Sequence, residues 1–585
     1  MILIIHFLSE CSTEILQKFQ YVKLIQISLT YVKLYCKIAL TFVNFKTQIH
    51  SYVVYRTNKP KLKGLYDMSK NKIHTIKDLV NFAAEVYGEK DFCKFFRDSE
   101  FFIKSFSEFR EDCFAVSRYI KTIETKKIHI AFIGKTNYEY IACLTGMICS
   151  GNVVVPFDPN ISVDEACRLF DDADIEMLFC EEEFLDKAEK IQSICGGLQK
   201  IISLGDRHWF DDIFNTYSSA SEYAHLSDTE IDPYECALII YTSGTTGERK
   251  GVMLSNHNLI SNSCYDTYKA EEGEVCLSVL PMHHVFCYAC DVLKVLYDGT
   301  TICLNGALTN MYRNLLLFEP TNTRIVPLLC KAIITKIKIS EKKHPELSPR
   351  QAAELVVGKR LTRFIAGSAF LSGALIDEFE KYGITARQGY GMSECSPRIT
   401  TSDFSEVCKY SNGVLTGVDD VRVVDGEIQV KGPSVMLGYY KKPERTAEAF
   451  TEDGYLHTGD LGYIENNHIY LVGRKKNLII LSNGENISPE ELENKFVDET
   501  IVKEIIVRGE NDSIIAEIFP DFTFADSMGI SDVECEIGKI VDKVNSVLNS
   551  DRQICSFIIR KTPFERTSTG KIKRVQFSFS EDKVK

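Results

Sequence analysis

The chain has 585 residues, of which 45% are hydrophobic and 25% charged, with 68 Lys and Arg against 81 Asp and Glu. This is the composition of a globular protein with ample core, and a soft prior of ~150 residues per domain allows about four domains. A net charge of −13 excludes a surface built to coat nucleic acid but leaves nucleotide binding open, since that needs only local positive charge.

Residues 1–67 differ from the remainder. Lys18, Lys23, Lys33, Lys37, Lys46, Lys59, Lys61 and Lys63 face only Glu10, Glu14 and Asp67, and Tyr-Val-Lys-Leu occurs at both 21–24 and 31–34. A signal peptide needs a cleaner hydrophobic core and a small-residue cleavage site. A membrane span over 24–45 carries Lys33 and Lys37 near its centre, at about 2.5–3.5 kcal/mol each on insertion scales. The favoured reading makes Met68 the authentic start, with membrane contact through 1–67 not favoured. From 68 to about 125 the pattern is helical, with Leu79, Phe82, Ala83 and Val86 at helix spacing and Thr75 as N-cap. A strand over 128–133, a helix over 137–150 ending at Gly151, a strand over 153–157, a helix over 163–173 and a strand over 177–180 follow. Such alternation predicts a parallel α/β sheet buried on both faces. Residues 205–232 are polar and acidic, a surface connection into the apolar strand 236–240.

After that strand comes Tyr241-Thr-Ser-Gly-Thr-Thr-Gly-Glu-Arg-Lys-Gly-Val252. Thr242, Ser243, Thr245 and Thr246 supply hydroxyl donors, Gly244 and Gly247 let backbone N–H groups close on an anion, and Lys250 adds a compact cation. The product is a phosphate cradle, though not the Walker loop, which needs its lysine directly after the second glycine. On residue types alone, a polar loop between two strands is the alternative. The stretch resembles the signature loop of the adenylate-forming superfamily, which contains acyl- and aryl-CoA synthetases, luciferases and peptide-synthetase adenylation domains. Matching motifs occur in the family's order from about Asn137 to Arg574, most of the chain. The resemblance implies an α/β fold in two parts. One is a large adenylation domain (68–474) of parallel-rich sheets flanked by helices, plus a β subdomain. The other is a small mobile α+β lid domain (475–585).

Residue by residue, the resemblance implies the following site. His284 and Phe286, in Pro281-Met-His-His-Val-Phe286, match the pair that shapes the acyl pocket; by itself a histidine pair beside apolar residues reads as structural. Gly367-Ser368-Ala369 matches a turn beside the adenine, and Phe370 departs from the proline common there. In Gln388-Gly389-Tyr390-Gly391-Met392-Ser393-Glu394, Tyr390 stacks on adenine, Ser393 contacts the α-phosphate and Glu394 holds Mg²⁺; alone, the motif is a glycine-bearing turn into a helix. Gly426 to Pro433 and Gly438-Tyr-Tyr read as β structure. Asp460, in Thr-Gly-Asp, accepts the ribose hydroxyls, and Arg474 meets the same ribose or phosphate region. Lys476 matches the hinge, although Lys475 and Lys476 are individually readable as a solvated basic turn. In the C-terminal domain, a strand, a glycine turn and a helix carrying Pro489 follow, and Gly484 is a candidate for the pantetheine channel. Gly570-Lys571-Ile-Lys-Arg574 matches the family's terminal motif, which makes Lys571 the leading catalytic candidate, with Thr245, Glu394 and His284 beside it.

The implied chemistry has two halves: ATP activates a carboxylic acid to acyl-AMP, then the small domain turns about Lys476 and the thiol of coenzyme A takes the acyl group. His283-His284-Val285-Phe286 lacks the family's Phe-Asp pair for an amino-acid ammonium, which disfavours amino acids. No carrier module is attached, for Asp526-Ser527-Met528 lies inside the C-terminal domain, and the spacing from Glu394 to Asp460 leaves no room for the insertion of acyl-AMP ligases. The expectation is therefore a CoA ligase for a fatty or other apolar acid. The alternatives are a ligase loading a separate acyl carrier protein, and an aryl-CoA ligase. A binding-only descendant is disfavoured by the presence of Lys571, Asp460 and Glu394. Twenty cysteines without framework spacing imply reduced thiols in a cytoplasmic protein, and Cys287-Tyr-Ala-Cys290 reads as core helix rather than a zinc or redox pair.

Overall fold

The computed structural model describes residues 72–204, 207–227, 229–243, 249–265, 270, 273–406, 409–482, 485–566, 572 and 574, all within the unit Ser69–Lys585. The readings made for 1–67, as extension, membrane contact or surplus to a start at Met68, lie outside them.

Local chemistry starts the helices where the sequence says. Thr75 accepts a hydrogen bond from the Asp78 N–H while the Asp78 carboxylate takes the Thr75 N–H, and Ser105 and Glu108 repeat the arrangement. Asn137 caps Tyr138–Cys149. Each such cap contributes about 1 kcal/mol. Tyr138–Cys149 is buried along its whole length, as a helix must be when enclosed between a sheet and other helices. Gly146 permits that: a Cβ there sits 2.5 Å from the Cys113 carbonyl oxygen on helix Phe106–Ile123.

The strands His129–Ile133, Val153–Phe157, Ile175–Cys180, Lys200–Ser203 and Cys236–Ser243 run parallel in the first seven-stranded sheet. Arg249–Ser255 folds back antiparallel on Cys236–Ser243, and Gly438–Tyr439 closes that edge. A second seven-stranded sheet has the order Thr385–Gln388, Arg363–Ala366, Asn322–Ile325, Val275–Ser278, Thr301–Leu304, Asp91–Arg97, Glu100–Ser105. It is parallel apart from its last pair. Leu277, Ile325 and Phe364 on its strands are fully buried together with Ile333 on helix Pro327–Lys343, at roughly 2 kcal/mol each.

That last pair corrects the helical reading of 68–125. Asp91–Arg97 and Glu100–Ser105 form a hairpin between helices Ile76–Tyr87 and Phe106–Ile123. Asp98 and Ser99 both take positive φ (49° and 67°), the backbone of a two-residue turn whose twist matches paired strands. The polar connection 205–232 likewise contains a helix, Arg207–Thr216.

A six-stranded antiparallel sheet, including Asp420–Val424, Glu427–Lys431, Leu456–Glu465 and His468–Arg474, forms the β subdomain. Beyond it, Val502–Glu510, Ser513–Pro520 and Ser556–Ile559 make a three-stranded sheet over a core of Ile487, Phe496, Ile518 and Ile537, with helices Pro489–Glu493 and Val533–Asn545. Asp526 and Ser527 end a short helix, Phe522–Ser527. The fold is thus α/β, with parallel-rich sheets, a β subdomain and a small α+β C-terminal part. Among the described residues no helix is long and apolar enough to cross a membrane.

Candidate functional site

The strand Arg363–Ala366 ends in Gly367, whose missing side chain accommodates Phe286: a Cβ at Gly367 stands 3.2 Å from Phe286 Cζ. Phe286 and the small-residue turn are therefore neighbours. Ser368 takes φ 67°, and Ala369 follows. Gln388 joins this turn to the next motif, since its Nε2 donates to the Ala369 carbonyl (2.9 Å) and its Oε1 accepts from the Leu371 N–H (3.2 Å). His284 precedes the helical turn Val285–Cys287 with its ring 4.3 Å from that of His283. Burial, and then His284, push His283 down to about 3, which keeps its imidazole neutral. Cys287 and Cys290 are buried in the helix that continues from there, as the core-helix reading has it.

In the motif 388–394, Gly389 follows its strand and Gly391 makes a bridge with Arg398, at a spot where a Cβ collides with the Pro397 carbonyl. Met392 donates its N–H to that carbonyl at 2.8 Å, and Ser393 opens the short turn Ser393–Cys395. Asn262, fully buried on helix Asn256–Ser263, donates to the carbonyls of Cys395 and Arg398 and fixes the turn from behind.

Two side-chain clusters result. In one, Tyr390 donates its hydroxyl to Asp460 Oδ2 at 2.7 Å, and Arg474 Nε lies 2.5 Å from Asp460 Oδ1. Asp460 and Arg474 are cross-strand partners, and the Asp460 N–H rests on Thr458 Oγ1. Burial and the adjacent Asp460 carboxylate raise the Tyr390 phenol, which stays a donor. In the other, Tyr439 donates its hydroxyl to Glu394 Oε1 at 3.1 Å while Lys250 Nζ sits 4.7 Å from the Tyr439 ring centroid. Desolvation holds the half-buried Glu394 carboxyl above its usual range, against the lowering effect of Tyr439, Arg474 and Lys250. The motif 388–394 carries one residue of each cluster, Tyr390 and Glu394, which ties the two together.

Lys250 pairs across the hairpin with Thr242, and Arg249 with Ser243, so the two strands that flank residues 244–248 are in register. Gly244, Thr245, Thr246, Gly247, Gly484 and Lys571 lie outside the described residues. Lys476 stands in the short turn Lys475–Asn477 with its side chain exposed. Its ammonium is nonetheless pushed down to about 8, by desolvation and then by Arg474. Two residues of the site escape sequence reasoning. Asn262 has no motif around it, while Tyr439 belongs to Gly-Tyr-Tyr, a signal read only as β structure.

No group of three metal-ligating side chains occurs among the described residues. Magnesium is bound through one or two carboxylates, water and substrate phosphates, and the Glu394 carboxylate, close to Tyr439 and Lys250, is a donor that fits it.

A model of the AMP-binding enzyme family matches residues 82–440, and one of the AMP-binding enzyme C-terminal domain matches 476–580. The chain is 29% identical to the long-chain-fatty-acid–CoA ligase of Bacillus subtilis (strain 168) over 66% of its length and 75% of the relative's. It is 24% identical to long-chain-fatty-acid–CoA ligase 1 of Homo sapiens over 67% of this chain and 65% of that one, and 26% identical to fatty acyl-CoA synthetase B of Dictyostelium discoideum over 77% of each. The chain thus spans between about two thirds and three quarters of these relatives. In fold it is similar to the adenylation domain of the carboxylate reductase from Mycobacterium chelonae (TM-score 0.72, 20% identity, 91% and 94% covered). It is also similar to ATP-bound MatB from Rhodopseudomonas palustris (TM-score 0.70, 22% identity, 84% and 97% covered).

Proposed function

The chain belongs to the AMP-binding enzyme family, and from that premise we propose that it is an AMP-forming acid–thiol ligase. It activates a fatty or other apolar carboxylic acid with ATP and transfers the acyl group to coenzyme A. The observation that supports this reading is that the single motif 388–394 joins the cluster Tyr390, Asp460 and Arg474 to the cluster Glu394, Tyr439 and Lys250. The two oxygens of the Asp460 carboxylate suit the ribose hydroxyls, and the Lys250 ammonium suits a triphosphate.

In the first half-reaction a carboxylate oxygen of the acid attacks the α-phosphorus of ATP, and the bond to pyrophosphate breaks. Charge grows on the phosphoryl oxygens, so the protein's task is placement of cations and donors rather than proton transfer. Lys250, the hydroxyls of Thr242, Ser243, Thr245 and Thr246, and Lys571 are assigned that task. Glu394 would hold a magnesium ion, which neutralises phosphate charge when bound. Tyr390 and Gly367 to Ala369 take the adenine, Asp460 and Arg474 the ribose. His284, with the neutral His283 behind it, and Phe286 shape the entrance for the acid. In the second half-reaction the thiol attacks the acyl carbon and AMP leaves; the lid domain from 475 onward turns about Lys476 to present Gly484.

The names of the relatives support the fatty-acid and CoA assignments, and described cysteines that are free, most of them buried, support a cytoplasmic setting. A panel of saturated, aromatic and amino acids is to be tested with ATP, magnesium and CoA, following AMP release and loss of free thiol. Thioester from the fatty acids is expected. Product only with an acyl carrier protein, or only with aromatic acids, would replace this reading by one of its two alternatives.

A further inference from the structure

The strap 436–441 returns from the β subdomain and touches both chemical motifs. Met436 donates its N–H to the Glu394 carbonyl (2.8 Å), Leu437 to Met253 (3.0 Å) and Tyr440 to Gly251 (2.8 Å). Gly438 and Tyr439 pair with Met253 and Val252, on the strand that carries Lys250. The outer end is anchored separately, with the Tyr440 hydroxyl and Lys441 both on Asp174 at 2.7 and 2.6 Å. Thr446 Oγ1 takes the Tyr439 N–H at 2.9 Å. Tyr439 therefore has a fixed backbone and is only 8% exposed.

Its side chain meets two different groups by two different means. The ring face lies under the Lys250 ammonium, which restrains a flexible four-carbon stem by cation–π attraction. The hydroxyl donates to Glu394 Oε1 and so selects one orientation of that carboxylate. A tyrosine serving only as core needs one polar partner for its hydroxyl and no cation on its face. From this geometry we infer that Tyr439 is a positioning residue of the nucleotide site, its ring setting the signature-loop lysine and its hydroxyl setting the acidic residue of the second motif. The inference rests on the ligase reading given above. It adds a third, separately encoded segment to the two motifs that the sequence advertises.

The two contacts can be removed one at a time. Binding of metal-free ATP (in EDTA) and of magnesium ATP is to be measured by calorimetry for the full chain, Tyr439→Phe and Tyr439→Leu, with melting temperatures alongside. Tyr439→Phe keeps the ring, so metal-free affinity is expected to stay within about twofold. The advantage of magnesium ATP over metal-free ATP shrinks by about tenfold, the worth of a hydrogen bond to a charged group. Tyr439→Leu is expected to lose metal-free affinity as well, by about fivefold. That extra loss should vanish in a Lys250→Met background, which removes the cation. Equal effects of Phe and Leu on both affinities, affinity losses that merely follow a fall in melting temperature, or no change in either overturn the assignment of Tyr439. An unaltered chain that binds no ATP overturns the nucleotide reading together with it.

Discussion

Asp460→Asn is the sharpest perturbation of the proposed ribose contact. The substitution keeps the size of the side chain and removes its charge. Asp460 is 5% exposed and accepts from Tyr390 at 2.7 Å, so its carboxylate works in a desolvated place. Arg474, at 40% side-chain exposure, is screened by water and adds under about 1 kcal/mol. A hydrogen bond to a charged acceptor contributes about 1.5–3 kcal/mol, and asparagine keeps one acceptor oxygen while turning the other position into a donor. The net loss toward two ribose hydroxyls is therefore about 2–3 kcal/mol, or about 30- to 150-fold in ATP affinity. The Tyr390 hydroxyl can still donate to the asparagine oxygen, so the melting temperature should fall by no more than about 4 °C. Calorimetry with ATP, and the KM for ATP during AMP release, check both figures. ATP affinity within twofold of the unaltered chain, combined with a loss of turnover or of melting temperature, would refute the ribose assignment.

Other outcomes follow from the same geometry. Gly367→Ala drives a methyl to 3.2 Å from Phe286; KM for the acid should rise several-fold, and Phe286→Leu in the same chain should restore part of it. Lys571→Ala should lower adenylate formation by about 10²–10³ while thioester formation from supplied acyl-AMP changes little, since the proposed role sets the lysine against charge that develops only in the first half-reaction; equal losses in both assays would refute that role. Glu493, desolvated although Arg574 lowers it, is raised to about 7. A carboxyl raised on folding holds more protons in the native state between about pH 4.5 and 7, so its contribution to stability declines as pH rises through that window. In melts from pH 4.5 to 8, Glu493→Gln should flatten that decline relative to the unaltered chain.

Much of this architecture is legible in the linear chain because the deciding chemistry is local. Thr75 and Asn137 cap helices by bonds spanning three residues, and Val153–Phe157 is a wholly apolar run because its sheet is covered on both faces. The hairpin at 91–105 is illegible for the opposite reason. Its aromatic residues satisfy helix and strand periods alike, and Asp98-Ser99 lacks the Asn-Gly or Asp-Gly pair that usually announces a two-residue turn. Within the site, Tyr390, Asp460 and Arg474 sit in motifs, yet nothing in their spacing says that the tyrosine hydroxyl meets the aspartate across 70 residues. Tyr439 and Asn262 act from 45 and 133 residues away, through a two-residue strand and a helix that only the folded sheet brings into place.

Exchange of labelled pyrophosphate into ATP, measured without CoA and with one fatty acid at a time, tests the central claim most directly. The account predicts exchange that needs the acid and magnesium and is lost in Asp460→Asn at subsaturating ATP. Tight ATP binding without acid-dependent exchange, or exchange indifferent to Asp460, would contradict it.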